Sequence, residues 1–247
     1  MTHAHSALSP DDIWPAIRDE AAVLIAQEPL IAPLITSTIL AADNMTGAMA
    51  KLLCPKLVTH GMDARALEDV FALAAPVIDH DLPYDLLAIR AHDPAAYCFS
   101  TPFLFFKGLH AIQVHRVAHV LWQQGRKSLA LFLQNRVSDL FGVDIHPAAQ
   151  IGKGVMMDHA TGIVIGETAV VEDNVLFWHG VTLGGRGTAA GDRHPKVRKG
   201  AWLGAQSIIL GAIEIGENAR IGAGSIVVKP VAAGVTVTGV AAKPKDA

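Results

Sequence analysis

From residue 143 onward, large aliphatic side chains recur every six positions. Ile145, Ile151, Met157 and Ile163 carry the period, Ala169 keeps it with a smaller group, and Val175 and Val181 resume it. The phase is lost across "GGRGTAAGDRHPK" (184–196). It returns at Val197, Leu203, Ile209, Ile215, Ile221 and Val227, and ends at Ala233. Six is not a multiple of 3.6, so an amphipathic helix does not generate this period, and a flat strand would alternate by two. Small residues stand at fixed offsets beside the aliphatics, as in "IGKG", "IGEN" and "IGAGS". This pattern predicts a parallel β-helix. Each repeat makes one short strand and a tight corner, three repeats close a triangular coil, and each aliphatic stacks inward on its equivalent one coil away.

Residues 1–142 read as helical instead. "SPDD" (9–12) predicts a helix start, with Ser9 as N-cap, Pro10 at the first helical position and Asp12 reaching back. Ile13, Trp14, Ile17, Ala21 and Leu24 follow at helical spacing, and Pro29 and Pro33 interrupt the run. Further helices are expected around 44–53, 63–75 and 82–91, and two more over 100–142 with a break near Gly125. The predicted class is α+β: a helical domain over 1–142, then a left-handed parallel β-helix over 143–240 with an excursion loop at 184–196, then a short tail over 241–247.

Composition narrows the function. The 247 residues are 51% hydrophobic and 17% charged, with a formal net charge of −3. That balance argues against a nucleic-acid binder that works by neutralising phosphates. The longest uncharged run, about 14 residues, falls short of the ~20 needed to span a bilayer, so no membrane association is expected. The start "MTHAHSALSP" lacks a signal-peptide pattern, and the two cysteines, Cys54 and Cys98, form no framework. A cytoplasmic location fits both.

The candidate chemistry lies where the repeat is interrupted. Asp158 and His159 occupy the second and third positions of the Met157 repeat, at or near a corner where side chains can face outward. A hydrogen-bonded polar corner would look the same, so the neighbours matter. Asp144 lies 15 residues before His159, close to one 18-residue coil, and a carboxylate there would orient the imidazole. The excursion loop carries Arg193 and His194, and Gly185 at its root offers an exposed amide. His179 reads as a packed polar group on the coil. His115 and His119 share a helical face without a third metal ligand, so no metal site is expected.

"RAHDPAAYCFSTP" (90–102), "VDIHPAAQIGKG" (143–154), "MDHATGIVIGETA" (157–169), "VTLGG" (181–185), "GDRHPKV" (191–197) and "IGAGSIVV" (221–228) together resemble bacterial serine O-acetyltransferase, over nearly the whole chain. The resemblance implies acetyl transfer from acetyl-CoA, a co-substrate rather than a tightly bound cofactor, to the L-serine hydroxyl. It implies His159 as general base with Asp144 as its partner, and Asp93 and Asp158 on the serine ammonium. Arg193 and His194 would bind the serine carboxylate, and the Gly185 amide would meet the oxyanion. Coenzyme A would run along the coil past Gly204, Ala205 and Ala223. Family members are trimers whose helical domains pair them into hexamers, and cysteine inhibits them through the serine pocket. The family tail ends in isoleucine and inserts into O-acetylserine sulfhydrylase; here the chain ends "AAKPKDA" at Ala247, which argues against that complex. The alternatives are a γ-carbonic-anhydrase-like lyase with zinc on His159, His179 and His194, an acetyltransferase for another hydroxyl acceptor, and a non-catalytic scaffold.

Overall fold

The structure, a computed structural model, describes residues 8–187 and 191–240. Asp12 accepts hydrogen bonds from the Ser9 amide (2.9 Å) and hydroxyl (2.6 Å), closing the expected cap. A 3-10 turn, Pro10–Asp12, leads into α1 (Ile13–Gln27). α1 ends just before Pro29, as expected, whereas Pro33 lies in the first turn of the next helix, where its missing N–H costs nothing. A 3-10 turn, the short α2 (Ala32–Ile35) and a π-turn (Thr36–Leu40) follow. Then come α3 (Met45–Leu57), α4 (Ala64–Ala72), α5 (Ala75–His92), α6 (Ser100–Phe105), α7 (Lys107–Gln123) and α8 (Lys127–Phe141). Asn44 caps α3 through the Gly47 amide and Asp63 caps α4 through the Arg65 amide.

Several boundaries differ from the expectation. α3 and α5 run through Pro55 and Pro83, because buried residues on both sides of each proline hold the helix in place. Two helices were expected over 100–142, whereas a second break at Phe106 makes three. The break at Gly125 is as expected, and Gly142 closes α8 in the left-handed region that suits glycine (φ +67°).

Residues 143–237 form a parallel β-helix. Its first face stacks β1 (Val143–Ile145), β4 (Ile163–Ile165), β7 (Thr182–Gly184), β10 (Ile208–Leu210) and β13 (Ile226–Val227). The second stacks β2 (Gln150–Ile151), β5 (Val170–Val171), β8 (Lys196–Val197) and β11 (Glu214–Ile215). The third stacks β3 (Met156–Met157), β6 (Leu176–Phe177), β9 (Trp202–Leu203), β12 (Arg220–Ile221) and β14 (Thr236–Val237).

The register corrects the six-residue phase in one stretch. Ile145 stacks on Ile165, Ile151 on Val171 and Met157 on Phe177, each 20 positions apart. Ile165 to Leu183 and Ile209 to Val227 take 18. Two surplus residues therefore enter at the corner 158–162. Beyond it the stacking positions are Ile165, Val171, Phe177 and Leu183. Ile163, Ala169, Val175 and Val181 are also buried, as the other inward position of each repeat. This removes the apparent weakness at Ala169. The excursion loop adds eight more, since Leu183 stacks on Ile209 and Val171 on Val197, 26 positions apart.

The helices are joined to the coil by a buried ion pair. Asp85 on α5 accepts from Arg116 on α7 (2.6 and 3.2 Å), from Gln113 (3.0 Å) and from the Val155 amide of the first coil (3.0 Å). Arg116 also donates to the Gly152 carbonyl (3.2 Å). Gly108, near the start of α7, lies so close to Met157 that a Cβ there would run into the Met157 carbonyl. Among the described residues no helix is long and apolar enough to cross a membrane.

Asp85→Asn removes the fully buried carboxylate from Arg116 and leaves it only Asp81, 3.5 Å from Nε, and is expected to cost about 3 kcal/mol in urea unfolding. Acid sensitivity follows from His110 and His115, whose burial holds their pKa values at about 4 and about 3. The unfolded chain takes up these protons near pH 6.5 and the folded chain does not, so stability falls as pH drops from 6.5 toward 4. The expected slope is about 1.4 kcal/mol per pH unit for each histidine. His110→Gln and His115→Gln should flatten the wild-type pH dependence between pH 7 and 5.

Candidate active site

The 158–162 corner connects the third face to the first, and its surplus residues bend the backbone sharply. His159 (φ +55°) and Ala160 (φ +58°) are consecutive non-glycine residues in the left-handed region. That conformation is costly for residues with a Cβ and persists only where the surroundings impose it. Here the Asp158 amide donates to the Phe177 carbonyl (2.8 Å) and the Gly162 amide to the Gly142 carbonyl (2.7 Å), so both ends are fixed to neighbouring rungs.

The bend turns His159 outward. Its side chain is 77% exposed, with Nε2 at 3.6 Å from Asp158 Oδ2, and Asp158 is 22% exposed. The His179 ring, one coil on, meets the His159 ring edge-on at 6.2 Å between centroids. Both His159 and Asp158 open into a cleft of about 590 Å³ between the start of α7 and the third face, which Asp93, Lys107, Phe106 and Trp178 also line. Asp93 follows the last turn of α5. Its Oδ1 accepts from the Ala95 amide (2.8 Å), so it forms the turn that "DP" suggested while also lining the cleft. A larger cleft, about 640 Å³, lies between α7 and the second face and contains none of the expected site residues. Size is a poorer guide here than the convergence of acid and base groups.

Asp144 does not pair with His159 within the chain. It is half-buried on β1, where its Oδ1 accepts from Gln134 (2.6 Å), and its rung partner is Val164. The first coil has 20 residues rather than 18, so a separation of 15 does not overlay the two side chains. Asp158 is the carboxylate beside the imidazole.

Gly185, Arg193 and His194 gather at the next corner, between the first and second faces. Arg193 Nη2 donates to Glu167 (2.6 Å), which holds the Glu167 carboxyl below its usual range. A Cβ at Gly185 would lie 3.1 Å from His194 Nε2. Burial, and then the neighbouring Arg193 charge, lower the His194 pKa, so the ring is neutral at pH 7. This group lies across the width of the first face from His159. One chain therefore carries two partial constellations rather than one site. His179 shares the edge of His159 while His194 does not, and among the described residues no three potential ligands cluster to hold a metal.

Gly204, Ala205 and Ala223 lie on the same edge as His159, in the corners of later coils. The Gly224 amide donates to the Ala205 carbonyl (2.8 Å) and the Gln206 amide to the His179 carbonyl (2.9 Å), so the edge is continuous. Gly204 owes its small size to the coil itself, since a Cβ would lie 2.7 Å from the Ile221 carbonyl oxygen and the Ala223 nitrogen. Sequence reasoning missed Lys107, which donates to the Thr161 hydroxyl and lines the cleft, and it missed Glu167 and Thr168. Only the position of Glu167 and Thr168 inside a recognised motif could have flagged them. The 241–247 tail and residues 188–190 of the excursion lie outside the described residues.

Comparisons with known proteins agree on one family. Residues 13–114 match the serine acetyltransferase N-terminal family, and residues 194–229 match the bacterial transferase hexapeptide repeats. The chain is 51% identical over 235 residues to a serine acetyltransferase of Haemophilus influenzae, covering 94% of this chain and 88% of that protein. The solved structure of Neisseria gonorrhoeae serine acetyltransferase in complex with serine superposes with a TM-score of 0.90 at 48% identity, covering 99% of this chain and 100% of that one. A serine acetyltransferase in complex with CoA gives 0.88 at 50% identity, covering 95% and 99%. With this identity over nearly all of both chains, the protein belongs to the serine acetyltransferase family.

Proposed function

We propose that the chain transfers acetyl from acetyl-CoA to the hydroxyl of L-serine, giving O-acetylserine and CoA on the route to cysteine, through a general-base mechanism. The observation that carries this reading is the exposed His159 imidazole on a strained corner, in one cleft with Asp158 and Asp93. A serine hydroxyl is a poor nucleophile at neutral pH and needs a base within hydrogen-bond reach. His159 takes the proton from serine Oγ as that oxygen attacks the thioester carbonyl. The tetrahedral intermediate then collapses, the C–S bond breaks, and the proton passes from His159 to the departing CoA sulfur. Asp93 and Asp158 hold the serine ammonium, and Asp158 also stabilises the imidazolium. Coenzyme A follows the edge past Gly204, Ala205 and Ala223, which brings its thiol end toward His159.

In this cleft Lys107 is already engaged by the Thr161 hydroxyl, so the serine carboxylate and the oxyanion need further donors. Arg193, His194 and the Gly185 amide supply them from the opposite edge of the first face. Three copies arranged about an axis parallel to the coil bring one edge of each against the other edge of its neighbour. We therefore infer a trimer whose active sites are shared between adjacent subunits. Exposed Val23, Leu30 and Leu34 on the N-terminal helices suit an apolar contact that pairs two trimers.

Thiol release from acetyl-CoA should require L-serine, with homoserine and sugar acceptors much slower. His159→Ala should lower kcat about 10³-fold with the fold intact by circular dichroism. Asp144→Ala should cost far less, because Asp144 does not touch the imidazole in the chain; near-normal turnover of the His159 variant would remove it from the mechanism. The shared site predicts complementation. Subunits carrying His159→Ala and subunits carrying Arg193→Ala with His194→Ala are each inactive alone. Co-assembled one to one, they should recover about a quarter of wild-type activity, the share of interfaces that pair two intact edges.

A further inference from the structure

Every polar group of Thr168 is engaged with the returning end of the excursion loop. Its hydroxyl oxygen accepts from the amides of Arg193 (3.0 Å) and His194 (3.1 Å). The same hydroxyl is 2.9 Å from His194 Nδ1, and the Thr168 amide is 3.2 Å from that nitrogen. Its carbonyl accepts from Lys196 Nζ, which also binds Asp192 (2.6 Å).

This arrangement decides the state of the imidazole. A backbone amide is always a donor, so the nitrogen facing it must offer a lone pair. His194 Nδ1 is therefore unprotonated. In the neutral ring the proton lies on Nε2, at the edge of the ring that packs beside Gly166 and Gly185. With two amides donating to its oxygen, the threonine hydroxyl is left to donate its own proton, and the single Nδ1 lone pair is shared between that hydroxyl at 2.9 Å and the amide at 3.2 Å. The ring lies against Gly166, where any Cβ would fall inside it. Burial and Arg193 disfavour protonation of the ring, which would place a second proton against the Thr168 amide.

We propose that Thr168 is a positioning residue for amino-acid recognition: it fixes His194 as the Nε2–H tautomer and pins the Arg193–His194 backbone, so that a donor faces the substrate carboxylate. This rests on the assignment of Arg193 and His194 to the serine carboxylate. Thr168 itself touches no substrate and acts through His194.

The test is steady-state kinetics on the full chain with both substrates varied. Thr168→Val keeps the side-chain shape and removes the hydroxyl. It should raise the serine KM about tenfold, as expected for the loss of one or two neutral hydrogen bonds, while the acetyl-CoA KM stays within about twofold. Thr168→Ser should restore most of the loss. Thr168→Ala, which places no methyl against the ring, gives the same reading should the valine variant fold poorly. In a double-mutant cycle, Thr168→Val added to His194→Ala should raise the serine KM by clearly less than it does in the wild-type background, since only the contacts to the Arg193 and His194 amides remain to be lost. A full additional rise in that background, equal damage to both substrates, or no rescue by serine would overturn the role of Thr168 alone. An unchanged serine KM in His194→Ala would instead overturn the carboxylate assignment, and this proposal with it.

Discussion

A β-helix tolerates no surplus residue within its rungs. Each strand must hydrogen-bond to the strand below, and each inward side chain must stack on its equivalent, so any extra length has to leave at a corner. The chain makes two such departures before its last coils. Two extra residues at 158–162 turn His159 into the cleft, and eight in the excursion bring Arg193 and His194 back against Thr168. The chemistry of the protein therefore sits where the stacking rule is relaxed, supported on both sides by rungs where it holds.

The two departures leave at different corners, on opposite edges of the first face. This geometry explains how a scaffold with a continuous stacked core builds an enzyme site. In the proposed site the base and acids lie on the outside, along one edge, and the remaining donors come from another edge. The coil supplies rigidity at low cost, since its corners are fixed by amide–carbonyl bonds to both neighbours. The helical part contributes the third element of the cleft. The Asp85–Arg116 pair, hydrogen-bonded to Gln113 and to the Val155 amide and Gly152 carbonyl of the coil, sets the register of α5 and α7 against the first coil. A buried ion pair is a weak source of net stability, but a mismatch would leave a bare charge, so it selects one docking arrangement. That arrangement carries Asp93, just beyond α5, to the corner of Asp158.

Much of this was legible in the chain. The capping residues at 9–12, the breaks at Pro29 and Gly125, and the six-residue period all follow from local rules. Local rules failed where tertiary packing outweighed them. Pro55 and Pro83 sit inside helices because the buried faces of α3 and α5 outweigh a lost backbone bond. The period between 158 and 183 was read two positions out of phase, since a β-helix repeat has two inward positions and either one sustains the beat. The pairing of Asp144 with His159 assumed an 18-residue coil, whereas the first coil takes 20 residues and aligns Asp144 with Val164.

The sequence by itself determined the architecture and the chemical vocabulary: stacked coils after a helical segment, an acid and an imidazole at an interrupted repeat, and a polar excursion rich in glycine. These depend on period, composition and short motifs, which are properties of neighbouring residues. Only the tertiary structure decided which side chains share an edge, which carboxylate of the chain stands beside His159, and which groups face Nδ1 of His194. Those outcomes depend on the number of residues taken up at each corner and on hydrogen bonds between residues some 25 positions apart, as for Thr168 and His194. No local pattern encodes such pairings, because they exist only once the rungs have stacked.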